Sequence, residues 1–304
     1  MVRAFVVGRA KRDFAALVYV YDSAARNLTK AGGMGCWTLD DIPWARFDRG
    51  RVDPELIPIV KAASLVEHNG AAYAHHLCCI FADDPEFQEA AQRWGEEEVQ
   101  HGRALARWAA MADPGFDFDA AFARFQQGFK VDFDCDRSRR GSRTGEMIAR
   151  CIVEIGTSSY YTALREGVAE PVLREICRHI AADELRHYRL FYKNLDRCLA
   201  RERLGRVARL RVALGRVAEA DDDELAYAYY AANESALPYD RKRYSRAYAR
   251  RAFRLYRPHH IERMVAMLLK AVGLTPNRTL GRVAGGIAWH LMRYRVRRLA
   301  KAAV

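Results

Sequence analysis

The chain has 304 residues, half of them apolar, and a formal net charge of +12. This length allows one large domain, or one domain with an extension. We find no run of 18 uninterrupted apolar residues and no apolar stretch with a small-residue cleavage site near the start. These features exclude a membrane-spanning helix and favour a cytoplasmic protein.

Helical patterns dominate the sequence and strand-like alternation is rare, which predicts an all-α fold. A short helix is predicted over Arg12 to Asn27, and the glycines at 32, 33 and 35 end it. In the irregular stretch 36–52, Trp37 and Trp44 are the expected anchors. Four long helices are then predicted over 53–81, 85–113, 142–165 and 171–204, and Arg-rich helices over 206–219, 222–236, 240–257, 258–272 and 279–301.

The long helices are expected to pair as two antiparallel hairpins, because the first and third connections are short. The longer connection between the hairpins is predicted to be a loop that contains Asp132, Asp134, Asp136, Arg139 and Arg140. The predicted architecture is an antiparallel four-helix bundle with a basic helical C-terminal extension.

The basic character belongs to this extension. From Pro238 to Val304 there are 17 Lys and Arg against two acidic residues, whereas the preceding part holds 33 basic and 36 acidic residues. The split indicates two functional parts. We therefore predict an N-terminal segment over 1–52, a bundle over 53–205 and the extension over 206–304. The seven cysteines include no Cys-x-x-Cys pair, which argues against a disulfide framework or a zinc ribbon.

The candidate metal ligands lie in a sequence pattern that occurs twice along the chain. A lone glutamate, Glu67, precedes a Glu-x-x-His motif by 31 residues, and a second lone glutamate, Glu154, precedes another such motif by 30. Because residues i and i+3 share a helix face, each motif directs two ligands to one point. Four converging carboxylates would repel each other unless cations neutralise them. This ligand set is the one found in di-iron carboxylate bundles, and oxygen and imidazole ligands suit iron or manganese.

We therefore predict a site for two iron ions (Fe2+/Fe3+), with manganese as an alternative at one position. The predicted metal ligands are Glu67, Glu98, His101, Glu154, Glu184 and His187. Several nearby groups compete for these positions but are favoured as outer or surface groups, namely Glu96, Glu97, His68, His75 and His76.

Two strings resemble motifs of the soluble acyl-carrier-protein desaturases, which belong to the ferritin-like di-iron carboxylate superfamily. Ile180-Ala-Ala-Asp-Glu-Leu-Arg-His187 is similar to their fourth-helix motif, and Trp94-Gly-Glu-Glu-Glu-Val-Gln-His-Gly102 to their second-helix motif. The resemblance covers roughly residues 53–200 and implies a ferritin-like bundle. It also implies that the lone glutamates are terminal ligands, that the motif glutamates bridge the metals, and that each histidine binds one iron.

The same resemblance implies roles for two neighbouring residues. Thr157 takes the position of a threonine near the oxygen-binding face, which makes it the candidate catalytic residue. The alternative is a hydroxyl bonded back to its own helix. Asp183 is expected to accept a hydrogen bond from the outer nitrogen of a ligand histidine. The resemblance does not extend to the termini outside the bundle, and the basic extension is not assigned to that family.

The favoured function is an oxygen-activating di-iron oxidoreductase that attacks an unactivated C–H bond in an apolar channel. Desaturation of a carrier-bound fatty acyl chain is the favoured reaction, and hydroxylation is left open. Electrons are expected from an external ferredoxin-like donor. The alternatives are a hydroxylase of a modified tRNA nucleoside, ferritin-like or rubrerythrin-like handling of iron or peroxide, and a radical-generating subunit that uses Tyr73, Tyr160, Tyr161 or Tyr188.

The extension is expected to attract an acidic carrier protein or an anionic membrane surface, with RNA less favoured and a homodimer left open. Residues 279–301 mix apolar side chains such as Val283, Ile287, Leu291 and Val296 with several arginines. This pattern suits an amphipathic helix at a membrane interface, and peripheral attachment is therefore a further expectation. The alternative is the solvated face of a packed helix.

Overall fold

The computed structural model describes residues 37–129, 137–219, 223–234, 236–275 and 278–301. Over these ranges the chain consists of helices and connecting turns without a β-strand, so the predicted all-α fold is confirmed. The helix predicted over Arg12 to Asn27 lies outside the described residues, and so do Asp132, Asp134 and Asp136.

The chain begins with short 3-10 helices at Leu39–Asp41, Trp44–Arg46 and Arg49–Arg51. The α-helices that follow are α1 (Ile57–His68), α2 (Gly70–Ile80), α3 (Pro85–Ala112), α4 (Phe118–Gly128), α5 (Arg143–Gly167), α6 (Pro171–Glu202), α7 (Arg206–Ala218), α8 (Asp223–Asn233), α9 (Arg241–Phe253), α10 (Pro258–Ala271) and α11 (Arg278–Lys301).

Three long helices begin at the predicted residues because side chains cap them. Asp84 and Ser142 each accept a backbone N–H from the first turn of α3 and α5. Glu170 accepts two such N–H groups at the start of α6. The caps satisfy donors that a helix leaves unpaired at its N-terminus, and proline fits the first position of α3 and α6.

Two features differ from the expected elements. The first long helix begins at Ile57 rather than near 53, and it is divided at Asn69, whose backbone N–H is shared between the carbonyls of Leu65 and Val66. Helix α4 lies where only a loop was expected. Asp117 caps it, and Phe125 is fully buried on its inner face. The helix has only 11 residues, so its apolar periodicity is short, and the preceding Pro-Gly pair favours a loop. The sequence therefore did not predict this helix.

The long helices form two hairpins. Helices α1 and α2 pack against α3, and α5 packs along α6. Since only a few residues join the helices of each pair, the partners run antiparallel. The hairpins contact each other through α3 and α6. Trp37 is buried in the resulting core, and Trp44 packs against it, as expected of anchors.

The Arg-rich helices share this core. Helix α8 packs on α1, while α7 and α10 pack on α5. Tyr229 and Tyr244 from the extension join Ile59 and Leu105 in one buried apolar cluster. The extension therefore covers the hairpins, and the domain boundaries near residues 52 and 205 stay predictions.

The described part of the chain bears on two further expectations. None of its helices has the length and apolar character needed to cross a bilayer. Its cysteines at 78, 79, 151, 177 and 198 are free thiols, in line with the absence of a disulfide framework there.

Candidate metal centre

The six predicted ligands converge from four helices. Helix α1 supplies Glu67 and α5 supplies Glu154, while α3 and α6 each supply one Glu-x-x-His pair. All six side chains are buried, with at most 7% of any residue exposed. The hairpin packing therefore brings together residues that are up to 120 positions apart in the sequence.

The converging atoms form two overlapping groups, and in each group the ligand atoms lie within 4.8 Å of one another. One group contains Glu67 and His101, the other contains Glu154 and His187, and both contain Glu98 and Glu184. Each group could hold a metal ion. The two shared carboxylates lie between the groups, which is where bridging ligands of neighbouring cations would lie.

Both histidines direct Nδ1 towards the carboxylates. His101 Nδ1 lies 3.3 Å from an oxygen of Glu184 and 3.5 Å from one of Glu98. His187 Nδ1 lies 3.1 Å from the other oxygen of Glu98 and 3.6 Å from Glu154. Each ring thus presents one nitrogen to the centre and the other to an outer partner.

The outer partners are carboxylates from the opposite hairpin. His101 Nε2 donates to Asp183, at 3.0 Å, as expected for that residue. His187 Nε2 donates to Glu97, at 2.6 Å. Glu97 was only one of several competing groups in the sequence, yet its signal was present, because an acidic residue immediately precedes the glutamate of both Glu-x-x-His motifs.

A second layer holds these carboxylates. The Trp37 indole donates to Asp183, at 2.7 Å, and its ring stacks on that of His101 with centroids 6.0 Å apart. The Arg186 guanidinium donates to both Asp183 and Glu97. Burial opposes ionisation of Asp183, but the hydrogen bond and charge of His101, together with Arg186, outweigh it and hold its pKa at about 2.

Electrostatics within the cluster separate the lone glutamates from the shared ones. Burial and the neighbouring carboxylates raise the pKa of Glu67 and Glu154 well above the usual value. Burial also opposes ionisation of Glu98 and Glu184, but the two imidazoles, whose Nδ1 atoms lie close to these carboxylates, outweigh it and lower both pKa values. In the absence of metal, protons therefore balance part of the negative charge.

The same carboxylates act on the imidazoles. Burial alone would lower the pKa of His101 and His187, yet the surrounding carboxylates raise both values well above the usual one. A positive charge at this position is thus favoured by the protein.

The cluster also contains buried polar atoms that lack a hydrogen-bond partner among the described residues. They are Nδ1 of His101 and His187, both carboxylate oxygens of Glu154, and Oε1 of Glu184. Buried polar atoms without partners are costly. All of them face the centre, and all have the lone-pair chemistry of ligands for hard or borderline cations. The residues present therefore fit a pair of divalent metal ions.

The remaining competing groups lie elsewhere. His68 packs edge-on against the rings of Phe118 and Phe122, and burial lowers its pKa to about 4. His75 lies 3.8 Å from the sulfur of Cys79. Neither histidine belongs to the two groups of candidate ligands, and the same holds for Glu96 and His76.

Two hydroxyl groups touch the candidate ligands. Thr157 donates to Glu184, at 2.5 Å, and its oxygen also lies 3.3 Å from the backbone carbonyl of Glu154. Its hydroxyl therefore has both the ligand contact and the helix contact that the sequence left as alternatives. Tyr161 donates to Glu67, at 2.5 Å. The sequence named this tyrosine only as a radical candidate, and nothing in the spacing pointed to its hydrogen bond.

A small cavity of about 70 Å³ opens at the carboxylates of Glu67, Glu98, Glu154 and Glu184. A larger cavity of about 280 Å³ adjoins it, since both are lined by Glu67 and Thr157. We call the larger cavity the apolar chamber. Its side chains are mostly apolar, and the C-terminal extension supplies much of the wall through Tyr248, Ala249, Ala252, Phe253 and Tyr256.

A third group of potential ligands lies outside the centre. Nε2 of His259 and of His260 each lie 3.0 Å from the same oxygen of Glu166. His260 Nδ1 accepts the backbone N–H of Arg257, which leaves the proton of a neutral ring on Nε2. This nitrogen therefore donates to Glu166 rather than offering a lone pair. The group ties α10 to the end of α5.

Comparison of the chain with models of known protein families gives no match, and comparison with curated proteins gives no significant match. The interpretation of the centre therefore depends on its own geometry.

Proposed function

We propose that the chain is an oxygen-activating di-iron oxidoreductase that acts on an unactivated C–H bond. The observation that carries this proposal is the buried six-residue cluster whose unpartnered atoms all face one centre. Its donor set contains oxygen and imidazole nitrogen without a thiolate. Such ligands suit iron or manganese better than a structural zinc site.

In this proposal Glu67 and His101 hold one ion, and Glu154 and His187 hold the other. Glu98 and Glu184 are shared between the two. When bound, a pair of iron ions supplies the redox chemistry that couples dioxygen reduction to oxidation of an organic substrate. Asp183 and Glu97 keep the ligand nitrogens of the histidines directed inwards by holding their Nε2 protons.

The apolar chamber supports an organic substrate over iron storage, which needs no such cavity. Its volume of about 280 Å³ lies just below the range of small-molecule pockets, roughly 300–1,000 Å³. Its mostly apolar walls would orient an apolar group towards Glu67 and Thr157. A fatty acyl chain is the substrate class we favour.

For desaturation the electron balance is simple. Removal of two hydrogen atoms from the substrate supplies two electrons, and an external ferredoxin-like donor supplies two more. Together with four protons, these electrons reduce one dioxygen molecule to two molecules of water. Hydroxylation uses the same donor electrons but retains one oxygen atom in the product.

The first experiment measures the metal content of purified protein after anaerobic loading with Fe2+. We expect about two irons per chain and loss of both in the Glu98→Ala, Glu184→Ala double variant, because these carboxylates belong to both groups. Glu96→Ala is the matched control, since Glu96 is two residues from Glu98 but outside the cluster.

Oxidase function is tested next, on the loaded protein. Substrate-dependent dioxygen uptake with reduced ferredoxin and acyl carriers, with an altered acyl product, supports the proposal. A protein that binds iron but accumulates a ferric mineral core without substrate turnover would be an iron-storage protein instead. Absence of transition metal in every preparation would end the metal interpretation altogether.

A further inference from the structure

Helix α11 exposes an apolar stripe that the other residues described by the structure do not cover. Val283, Ile287, Leu291 and Tyr294 are 56%, 58%, 65% and 61% exposed. Their spacing of three and four residues places them along one side of the helix over a length of about 16 Å. Side chains of this size are usually withdrawn from water, so a continuous exposed line of them indicates a contact surface.

The opposite side of α11 is the one that packs on the protein. Gly285 is buried there, and a Cβ atom at this position would lie 3.1 Å from the Cα of Glu262 on α10. Met292 and Ala288 are half-buried on the same side. The stripe is therefore directed away from the protein core. We call it, with its flanking arginines, the outward face of α11.

The charge around the stripe has one sign. Helix α11 contains seven Lys and Arg and no acidic residue. At 100° per residue, the exposed arginines Arg282, Arg293 and Arg297 follow one flank of the stripe along its length. Arg298 lies at its C-terminal end, with the guanidinium over the ring of Tyr294.

We infer that the outward face of α11 docks on an anionic lipid surface. An amphipathic helix of this composition lies in the plane of the membrane, with its apolar side chains inserted roughly 5–10 Å into the headgroup boundary. The arginines then meet lipid phosphates along the whole helix. A line of apolar side chains on the outside of a helix matches a deformable flat surface, whereas a folded acidic protein would need a complementary groove. The inference does not depend on the proposed function.

The test is sedimentation of full-length protein with vesicles of phosphatidylcholine, with or without phosphatidylglycerol. We expect binding only to the anionic vesicles, and weaker binding as salt is raised. The variant Ile287→Ser, Leu291→Ser removes apolar insertion, and Arg293→Gln, Arg297→Gln removes two cations. Each is expected to weaken binding at least tenfold, because the first variant loses apolar insertion and the second loses two cations that attract anionic lipid.

Two controls keep the result specific. Lys242→Gln, Arg246→Gln removes the same charge from an exposed part of α9 and is expected to leave binding nearly unchanged. Leu214→Ser removes an exposed apolar side chain from α7 and, as the control for the apolar variant, is also expected to leave binding nearly unchanged. All substitutions are at exposed positions, so an unchanged melting temperature verifies the fold of each variant.

The inference would be overturned by equal binding to neutral and anionic vesicles, by no binding to either, or by unchanged binding of both α11 variants. If vesicle binding is absent but the α11 variants lose affinity for an acidic carrier protein or RNA, that partner occupies the face instead.

Discussion

Each candidate ligand histidine is oriented by a carboxylate from the opposite hairpin, so the two sides of the centre are built alike. Asp183 on α6 accepts a hydrogen bond from His101 on α3, and Glu97 on α3 accepts one from His187 on α6. An acidic acceptor at Nε2 keeps its proton there and leaves the Nδ1 lone pair for a metal ion. These two residues are positioning residues.

We expect Asp183→Asn and Glu97→Gln each to weaken metal binding about 10–100-fold, because the ring loses a charged acceptor while the six ligands remain. Competition titration with Co2+ or Fe2+ measures the change. Glu89→Gln, at an exposed position of α3, is the control. Unchanged affinity in both variants would mean that the histidines are held by their helices alone.

Metal binding is also expected to depend on pH. A metal ion requires deprotonated ligands, whereas the metal-free centre raises the pKa of His101, His187, Glu67 and Glu154. Affinity should therefore fall as pH falls, beginning above the usual histidine pKa of about 6.5. Calorimetry in buffers of different ionisation enthalpy should detect proton release on binding. Constant affinity from neutral to weakly acidic pH would contradict this.

Between elements, the ligands depend on close contact of α1 and α2 with α3. Gly102 faces the backbone of His68, and an added Cβ would lie 2.6 Å from that backbone nitrogen. Gly95 faces Ala74, also at 2.6 Å from an added Cβ. Side chains at these positions would separate the helices that carry Glu67 and Glu98. The glycines therefore set the distance between two candidate ligands.

We expect Gly102→Ala to lower the free energy of unfolding by roughly 1–3 kcal/mol, as overpacking does in a rigid core. The iron content should fall as well, because α3 must move away from α1. Chemical denaturation and metal analysis measure the two effects. The control is Gly215→Ala on α7, where an added Cβ meets nothing within 4 Å and higher helix propensity should give equal or greater stability. Equal behaviour of the two variants would refute the packing argument.

For the whole molecule, the extension does more than carry positive charge. Its helices α9 and α10 contribute Tyr248, Ala249 and Met264 to the apolar chamber, while α1 and α5 contribute the part next to the candidate metal centre. The chamber is therefore assembled from the hairpins and the extension together. Its shape therefore cannot be inferred from the hairpins alone.

Ala249→Leu is expected to fill part of the chamber and to weaken binding of a fluorescent polyene fatty acid at least tenfold, while iron content stays unchanged. A fluorescence titration together with metal analysis separates these readouts. The matched control is Ala110→Leu, on the exposed side of α3. Unaltered fatty-acid affinity in the Ala249 variant would place the apolar ligand outside the chamber, without affecting the metal assignment.

The local features of this protein could be predicted from the amino-acid sequence. Capping residues and prolines predicted the starts of α3, α5 and α6, because helix initiation depends on a few neighbouring side chains. The three-residue spacing between Glu and His in each Glu-x-x-His motif predicted that the two side chains lie on the same face of a helix. The six candidate ligands could be selected on this basis, and the structure brings all six together.

Other features depend on contacts between residues that are distant in sequence, and these contacts are visible only in the folded chain. Tyr161 donates a hydrogen bond to Glu67, which is 94 positions away in the sequence, and Glu97 accepts one from His187, which is 90 positions away. The division at Asn69 and the extension's part in the apolar chamber also depend on which helices pack together. A local pattern shows which face of a helix is apolar but does not identify the helix that will cover it, because burial free energy is nondirectional and many partners can supply it.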